Sequence, residues 1–471
     1  MLPSLPLPTR LASWNPTATT RRFFPHGQLS AGQLVTLGGI ALITIGTFLL
    51  KTPWATPPGK SLSFLNALFT ATSAVTVTGL IVADTEKDFT VFGQIVILTL
   101  IQLGGLGYAM LATVLLIAMG QRIGLRNRMM VAEALSSLDL AGSIRFVKTI
   151  LIITFTFEGV GASILAARFS QEMPFLEACW HGIFHAISAF NNAGFSTFSQ
   201  NLIPYRNDVL VNVSISLLFV LGGIGFIVFR DLLSYYRKER YRIQTHTRLA
   251  LLVSVSLWVI GTIGFYLLEM HSPATLGSQT PAEGAMVAAF HSGAARTAGF
   301  NALDLSLLRP STLYMLILLM IIGGSPGGTA GGIKTTTFGI VCLSVWAVFR
   351  KRLDVEFHYR RMPPHLVLQA LAIMFLAIGA VTTLTFFLAF IENKPFLALM
   401  FEVASALGTV GFSVGNGGVL SLSAILTDFG KVIILCSMFL GRFGPLLVGL
   451  VSLTPPVRML YRFPQAKVAI G

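Results

Sequence analysis

Eight long apolar segments alternate with shorter ones along this chain. Each long segment reaches the roughly 20 helical residues that cross a bilayer core of about 30 Å. The long segments are 31–50, 91–119, 145–167, 209–229, 248–268, 312–348, 366–391 and 428–453. Apolar runs of this length predict transmembrane helices rather than the strands of a soluble fold.

A shorter apolar stretch lies between the two members of each pair of long segments. These stretches cover 61–74, 175–189, 282–294 and 395–407. At about 13 residues they are too short to cross the bilayer as helices. We therefore expect re-entrant helices, and the order long, short, long occurs four times.

A seven-residue pattern follows each short stretch and ends at a glycine. It reads SAVTVTG, SAFNNAG, GAARTAG and SALGTVG, ending at Gly79, Gly194, Gly299 and Gly411. Successive glycines are 115, 105 and 112 residues apart. An internal repeat at a near-constant interval predicts four copies of one structural unit. Four such units in one chain can line a single pore with pseudo-fourfold symmetry.

The repeats divide the chain into four quarters between two tails. We expect cytoplasmic tails at 1–30 and 458–471 and quarters at 31–138, 139–240, 241–360 and 361–457. Each quarter is expected to hold an outer helix, a pore helix, a glycine strand and an inner helix. The predicted fold class is thus an all-α integral membrane protein, with eight transmembrane helices and four re-entrant pore helices around one pore.

Composition and charge support a membrane protein and indicate its orientation. The chain is 54% hydrophobic and 11% charged, whereas soluble domains have about 25% charged residues. With a cytoplasmic N-terminus, about three times as many lysines and arginines fall on the inner side as on the outer side, as the positive-inside rule requires. We therefore predict a multi-pass plasma-membrane protein with both termini cytoplasmic. The net charge of +14 then reflects topology and anionic lipids rather than nucleic-acid binding.

The glycine strands are candidates for an ion selectivity filter. Irregular backbone inside a bilayer is tolerated only within protein or beside a watery cavity. Rings of carbonyl oxygens can replace the hydration shell of a monovalent cation, and glycine allows the necessary backbone angles. The candidate filter residues are Thr76, Val77, Thr78, Gly79, Asn191, Asn192, Ala193, Gly194, Arg296, Thr297, Ala298, Gly299, Gly408, Thr409, Val410 and Gly411. The alternative is that the glycines only pack helices together, but four equivalent occurrences favour a filter.

These strands resemble the pore loops of the Trk/Ktr/HKT superfamily of potassium transporters. The resemblance rests on ATSAVTVTGL at 71–80, RTAGF at 296–300 and GTVGF at 408–412. Eight spans without an extra N-terminal helix pair are similar to the KtrB type of this superfamily rather than the TrkH type. The resemblance implies that potassium binds at the filter glycines and the carbonyls before them. It also implies a preference for potassium, because the superfamily pairs a glycine at the position of Gly79 with potassium and a serine with sodium.

The resemblance further implies partners and a mode of regulation. Members of the superfamily act in potassium uptake, and here we expect the uptake to depend on sodium as a second ion. Members of this type work as homodimers on a KtrA-like cytoplasmic ring of nucleotide-binding regulatory subunits. This chain has no Gly-x-Gly-x-x-Gly fingerprint after a soluble strand, so nucleotide sensing is expected in the partner and no organic cofactor on this chain. The basic linkers at 120–148, 230–248 and 350–361 are either docking surfaces for that partner or anchors to membrane lipids.

The sixth long segment is interrupted by glycines. Six glycines and one proline within 323–332 cannot hold a stable helix. A flexible loop at 323–337, just below the third filter strand, is placed to obstruct the pore, and it resembles the intramembrane gating loop of the superfamily. The candidate gate residues are Gly323, Gly324, Ser325, Pro326, Gly327, Gly328, Thr329, Ala330, Gly331, Gly332, Lys334 and Arg442.

Arg442 lies within the last long segment. An arginine inside a membrane span is costly and is a functional candidate by default, and no acidic residue within one or two helical turns neutralises it. The superfamily's matching arginine acts in gating, which implies that Arg442 bonds carbonyls of the loop. The alternatives are a structural ion pair or a snorkelling side chain. Lys334 either joins the gate or reaches the lipid headgroups.

Further charged residues lie near the predicted pore. Arg296 is expected to point behind the filter and to bond either backbone or Glu402, which would satisfy two awkward charges together. The acidic residues at 84, 86 and 88 either attract cations to the pore mouth or form a solvated loop. For Glu158 the only expectation is an interhelical hydrogen bond.

Catalysis is not indicated by any group of residues in the sequence. His181 and His185 are four residues apart, but without a third ligand nearby we expect them to pack rather than to bind metal. No nucleophile–base pair or acidic dyad is evident, so the chain is not expected to be an enzyme. The rival functions are a sodium-coupled secondary cation transporter, a sodium-permeable member of the same superfamily, and a structural membrane protein.

Overall fold

The computed structural model describes residues 31–106, 143–238, 241–415 and 419–453, and these form an almost entirely helical protein. The helices are α1 (Ala31–Leu50), α2 (Phe64–Thr76), α3 (Val91–Leu106), α4 (Ser143–Phe169), α5 (Phe175–Phe190), α6 (Val209–Ile224), α7 (Phe226–Tyr236), α8 (Thr245–Glu269), α9 (Pro281–Ala294), α10 (Pro310–Ile321), α11 (Thr335–Phe349), α12 (Pro364–Ile391), α13 (Phe396–Gly408) and α14 (Asp428–Leu453). Two short strands, β1 (Glu356–Phe357) and β2 (Arg360–Arg361), form an antiparallel hairpin between α11 and α12. The all-α prediction is confirmed.

Each quarter has the same order of elements. The outer helices are α1, α4, α8 and α12, the pore helices are α2, α5, α9 and α13, and a glycine strand follows each pore helix before the inner helix begins. The inner helices are α3, α6–α7, α10–α11 and α14. Several predicted regions lie outside the described residues. They are the tails at 1–30 and 458–471, the border at 138–139, the linker at 120–148 except for its last residues, and the second half of the segment at 91–119.

The pore helices are short, as their apolar stretches predict. They contain 13, 16, 14 and 13 residues, fewer than the roughly 20 that cross a bilayer. Their starts are capped by side chains in two quarters. Ser63 accepts a hydrogen bond at the start of α2, and Thr280 and Glu283 form a capping box at the start of α9. These caps satisfy backbone N–H groups that have no partner within the helix.

Three helices among the described residues are long and apolar enough to cross a membrane on their own. They cover Val147–Phe169, Thr245–Glu269 and Pro364–Ile391, and α6 with α7 would count as a fourth span if the bent pair is taken together. Six further apolar segments among the described residues have 10–17 residues: Thr36–Leu50 within α1, and α2, α3, α10, α11 and α13. For α10 and α11 the reason is the glycine-rich loop, which divides the predicted sixth span between them.

The second inner helix differs from its prediction. The sequence predicts one continuous helix over 209–229, but the helix breaks at Gly225 and its two halves, α6 and α7, meet at 92°. Gly225 has a φ of +96°, a backbone angle that favours glycine. Glycines at 222, 223 and 225 signal this break, but the continuous apolar run around them obscures it.

The quarters interlock because the residue after each filter glycine packs into the preceding quarter. Phe195 belongs to the core cluster built around α2 and α3, and Leu80 belongs to the cluster of α13 and α14. Phe300 contacts His185 with ring centroids 6.1 Å apart, and Phe412 contacts His291 at the same distance. The four quarters therefore form a closed ring rather than a linear array.

Inner helices approach pore helices closely at a second set of glycines. In three quarters a β-carbon on the inner-helix glycine would collide with the carbonyl oxygen of the residue four positions before the filter glycine. The pairs are Gly104 with Val75, Gly222 with Phe190, and Gly441 with Leu407. In these three quarters, the end of the pore helix therefore lies directly against an inner helix.

We expect Gly441→Ala to destabilise the protein by about 1–3 kcal/mol, because the added methyl must displace the Leu407 carbonyl. Gly444→Ala is the matched control: it lies on the same helix, and a β-carbon there meets nothing within 4 Å. Thermal unfolding in detergent, followed by the loss of monodisperse protein, measures both. Equal melting temperatures for the two variants would contradict this packing.

Candidate ion pathway

The four glycine strands share one unusual backbone conformation. The filter glycines Gly79, Gly194, Gly299 and Gly411 have φ values of +87°, +68°, +72° and +95°. The residues two positions earlier, Val77, Asn192, Thr297 and Thr409, also have positive φ, at +57°, +59°, +93° and +52°. Positive φ is rare for residues other than glycine and signals local strain at functional sites. The same strained turn therefore occurs in all four quarters.

The four strands meet around one axis. A β-carbon on each filter glycine would crowd the carbonyl oxygen of the residue before the next filter glycine. The pairs are Gly79 with Ala193, Gly194 with Ala298, Gly299 with Val410, and Gly411 with Thr78. The last pair returns to the first quarter, so the contacts close into a ring. Four backbone carbonyls are thereby brought side by side at one level.

Serine side chains and pore-helix ends fix three of the strands. The N–H groups of Thr78, Ala193 and Val410 each donate to a serine carbonyl at 2.8 Å, those of Ser73, Ser188 and Ser405. The side chains of these serines also bond the strands, at the N–H of Gly79, the carbonyl of Phe195 and the N–H of Gly411. The third strand has Gly293 in place of the serine and no such side-chain bond, and there the Gly299 N–H donates to the Ala294 carbonyl at 3.2 Å. The ring is therefore only approximately fourfold.

Side chains three positions before the glycines are bonded away from the ring. Thr76 donates to the Thr72 carbonyl at 2.7 Å. Arg296 donates to the Ser254 carbonyl at 2.8 Å and lies 3.5 Å from the Gly323 carbonyl. Arg296 therefore does not face the axis, as expected.

Of the two partners expected for Arg296, backbone or Glu402, the structure shows the backbone. Glu402 is fully buried and accepts hydrogen bonds from the Ser413 hydroxyl at 2.6 Å and the Ser423 N–H at 2.9 Å. Neutral donors thus bond the carboxylate, and Ser254 bonds the Arg296 guanidinium, whose buried Nε has no hydrogen-bond partner among the described residues. Glu402 secures the chain that leaves the fourth strand rather than neutralising the arginine.

Acidic residues at the mouth tie two quarters together. A small cavity of about 40 Å³ is lined by Gly79, Gly194, Gly411 and Asp84, among others, so Asp84 faces the ring from the mouth. The Ser199 hydroxyl donates to Asp84 at 2.5 Å, and the Ser199 N–H donates to the side chain of residue 86 at 2.7 Å. Asp84 therefore both carries negative charge at the mouth and holds the loop after the second strand.

The histidines of the second pore helix pack, as expected. His181 bonds the Thr197 hydroxyl at 2.6 Å, and His185 bonds the Ser196 hydroxyl at 2.8 Å. Both rings stack on Phe198. No group of three or more potential metal ligands occurs in the part of the chain that the structure describes.

The glycine-rich loop lies below the ring, on the side opposite the mouth. Mouth residues follow the filter glycines in sequence, whereas the loop touches residues that precede them. Thr329 bonds the Phe190 carbonyl at 3.1 Å and accepts from the Asn192 amide at 2.9 Å. A β-carbon on Gly331 would collide with the Thr409 side chain. The loop therefore underlies the second and fourth strands.

Backbone hydrogen bonds attach the loop to the bend of the second inner helix. Ser325 and Thr329 donate to the carbonyls of Gly223 and Gly222 at 2.9 and 3.2 Å. In return, the Phe226 N–H donates to the Gly327 carbonyl at 3.0 Å. The break at Gly225 frees these backbone groups from the helix, so the loop and the bend satisfy each other.

Arg442 joins the loop to the first quarter. Its guanidinium donates to the Thr329 carbonyl and, at 2.6 Å, to the Gly104 carbonyl. Lys334 donates to the Ala330 carbonyl at 2.7 Å. The sequence prediction that Arg442 bonds carbonyls of the loop is thus matched by the geometry.

A second set of glycine pairs marks the inner helices, and the pairs of the first two quarters are absent from the sequence analysis. They occur as Gly104–Gly105, Gly222–Gly223 and Gly323–Gly324, and the fourth pair reads Gly441–Arg442. Arg442 thus occupies the place of the second glycine. Aligning the inner helices by their glycines, as was done for the strands, would have revealed this second repeat.

Comparisons with known proteins support the same architecture. The family model described as TrkH, cation transport protein, matches residues 33–454. The solved structure of the potassium transporter TrkH from Vibrio parahaemolyticus superposes with a TM-score of 0.67, covering 91% of this chain and 86% of that one at 20% sequence identity. At that identity the match shows the fold alone.

Sequence relatives are closer than this structure. The Ktr system potassium uptake protein B of Bacillus subtilis is 39% identical, covering 93% of this chain and 96% of its own. The protein of the same name from Vibrio alginolyticus is 37% identical, covering 93% and 94%. The potassium/sodium uptake protein NtpJ of Enterococcus hirae is 35% identical, covering 94% and 98%.

We expect Gly225→Ala to loosen the glycine-rich loop. A β-carbon there would lie 2.5 Å from the Pro326 carbonyl and would strain a positive φ. Gly223→Ala is the control, because its nearest neighbours lie 3.7 Å or more away. Hydrogen–deuterium exchange of peptides spanning 323–333 should be faster in Gly225→Ala and unchanged in Gly223→Ala. Unchanged exchange in both variants would rule out the coupling of bend and loop.

Proposed function

This chain belongs to the TrkH family of cation transport proteins, and we propose that it is the ion-conducting subunit of a Ktr-type potassium uptake system in the plasma membrane. The predicted resemblance to the Trk/Ktr/HKT superfamily is confirmed by the family match and by relatives at 37–39% identity. Two of those relatives are named for potassium uptake. Transport, rather than catalysis, is the activity of the family.

The observation that carries the proposal is the closed ring of glycines and carbonyls. Backbone oxygens at one level around an axis can replace the water shell of potassium. Thr78, Ala193, Ala298 and Val410 supply those oxygens, and the filter glycines leave room for them to approach. Asp84 at the mouth raises the local concentration of cations before they enter.

The loop and Arg442 form the gate in this proposal. The loop lies below the ring and is fastened to the second quarter by backbone bonds and to the first and fourth by Arg442. The two cationic side chains of this gate, Lys334 of the loop and Arg442 of α14, lie on the path that an ion would take after the ring. Conduction requires the loop to move aside, and the positive charge opposes ion passage until it does.

Regulation and assembly follow the Ktr type in our proposal. The protein acts as a homodimer with one pore per protomer, on a cytoplasmic ring of nucleotide-binding subunits, with both termini cytoplasmic. Basic residues at 350–352 and 360–361 flank or form the exposed hairpin between α11 and α12. That hairpin offers a docking surface for the regulatory ring on the side of the gate. Sodium stimulates the potassium uptake.

A second candidate function is sodium transport by the same pathway. The relative from Enterococcus hirae is named for both potassium and sodium uptake, which favours a sodium-permeable or sodium-coupled protein. A coupled transporter has a fixed ion stoichiometry and saturable flux, whereas a gated pore shows single-channel conductance. Electrical recording in planar bilayers separates the two.

We expect Gly79→Ser to lower the preference for potassium over sodium by about tenfold or more, equivalent to about 1.4 kcal/mol. The serine side chain must displace the Ala193 carbonyl from the ring. Gly59→Ser is the control, because Gly59 also has positive φ, at +83°, but has no neighbour within 4 Å of a β-carbon. Potassium uptake with sodium competition, in cells lacking their own transporters, measures the preference. An unchanged preference in Gly79→Ser would overturn the filter assignment.

Arg442→Ala should raise potassium flux or make it independent of the regulatory subunit, since the loop loses its bond to the first quarter. Arg442→Lys keeps the charge but loses the fork that reaches two carbonyls. If the fork holds the gate, both variants leak. If charge alone blocks the path, only Arg442→Ala leaks. Normal regulated flux in Arg442→Ala would contradict the proposed gate.

A further inference from the structure

A buried carboxylate on the second outer helix reaches the filter through two amides. Glu158 is only 4% exposed. One of its oxygens accepts from the Asn191 amide at 3.1 Å, and the other accepts from the Gln102 amide at 3.2 Å. The Asn191 amide also donates to the Gln102 side-chain oxygen at 2.7 Å. Three side chains from α3, α4 and the start of the second filter strand thus form one network.

Asn191 connects this network to the ring. It caps the end of pore helix α5 and lies three residues before Gly194. Its amide nitrogen shares two N–H groups among three acceptors, the third being the Ile187 carbonyl at 2.9 Å. Its side-chain oxygen lies against Gly105. Reversing the amide would set its oxygen against the Ile187 carbonyl and the Glu158 carboxylate, so these two acceptors together determine which way Asn191 points.

The other quarters do not use an acid at this position. Thr76 bonds within its own pore helix and strand, at 2.7 Å to Thr72 and 2.7 Å to Thr78. Arg296 bonds the Ser254 backbone of its outer helix. Of the residues three positions before the filter glycines, Asn191 is the one whose side chain bonds a carboxylate in the described structure. A buried acid in a membrane protein is costly and marks function by default.

We propose that Glu158 is a positioning residue for ion selectivity: through Asn191 it fixes the second filter strand, and with it the Ala193 carbonyl that faces Gly79. This rests on the proposed function of the ring as a potassium filter. The network also links the inner helix of the first quarter to the filter strand of the second quarter. These are the two quarters in which Gly79 faces the Ala193 carbonyl. A small shift of that strand changes the radius of the ring on one side only.

The test exchanges the two polar groups. Asn191→Asp places a second acid 3.1 Å from Glu158, and like acids at this distance repel unless one is protonated. Glu158→Gln in the same chain restores a donor–acceptor pair with the charge moved to position 191. Glu158→Ala removes the acceptor altogether. Each variant is assayed for potassium uptake with sodium competition and for thermal stability.

A matched control carboxylate lies away from the filter. Glu269 is fully buried and accepts from the Thr312 hydroxyl at 2.6 Å and the Arg309 N–H at 2.9 Å, tying α8 to α10. Glu269→Gln should lower thermal stability without changing the potassium-to-sodium preference. This variant therefore shows how the loss of a buried carboxylate changes thermal stability when ion selectivity is not involved.

We expect Asn191→Asp and Glu158→Ala to lower the potassium preference on the order of tenfold, as for the loss of a hydrogen bond to a charged group. The double variant Glu158→Gln with Asn191→Asp should return to within about threefold of wild type. Recovery in the double variant is an outcome that simple loss of packing does not produce. Should Glu158→Ala fail to fold, the Asn191→Asp variant and its rescue decide the question.

Two results would overturn the inference. One is a folded Glu158→Ala protein with wild-type preference, and the other is a double variant no better than Asn191→Asp alone. Failure of the proposed function is distinguishable, because wild type would then show no potassium preference and Gly79→Ser would have no effect. If wild type and Gly79→Ser behave as expected while the Glu158 variants do not change preference, only the role of Glu158 is refuted.

Discussion

The filter glycines have no room for a β-carbon, because each faces the carbonyl of the next quarter. This close approach brings four backbone oxygens to one level, and a strained turn precedes each of the four glycines. In a bilayer, such irregular backbone survives only where its polar groups are bonded or face a watery path. The serine and pore-helix bonds around Gly79, Gly194 and Gly411 supply the bonding, and the interlocked aromatic residues behind the strands hold the ring closed.

A second layer of glycines, on the inner helices below the ring, also requires close backbone contact. Gly104, Gly222 and Gly441 let the inner helices touch the ends of the pore helices, so the ring rests directly on them. In the third quarter the inner helix is interrupted, and the loop fills the space below. The loop can do so because Gly225 breaks the second inner helix and exposes carbonyls that bond it. In the proposed function, the filter and the gate are therefore parts of one continuous hydrogen-bonded structure.

Sequence patterns predict the repeated elements well and the contacts between them poorly. The strand around Gly79 was recognisable because small residues and a glycine recur at a near-constant interval. The break at Gly225 was not, since an apolar run with glycines also describes a straight packed helix. Their charges make a pairing of Arg296 with Glu402 one of two expectations, yet the Ser254 carbonyl bonds the arginine and serine groups bond the carboxylate. Glu158 meets Gln102 and Asn191 across 56 and 33 residues of sequence, a proximity that only the folded chain creates.

Arg442 stands in one quarter where the other three have glycine, and that is possible only because a single chain encodes all four. A pore assembled from four identical chains would repeat such a substitution four times, and four guanidinium groups would converge on the axis. The mutual repulsion of these four charges would push the helices apart, or the charges would keep cations out of the path permanently. Fusing the quarters into one polypeptide allows a single charge, held by one loop, to act as a latch. It also allows a mutation in one wall of the pore to leave the other three walls unchanged.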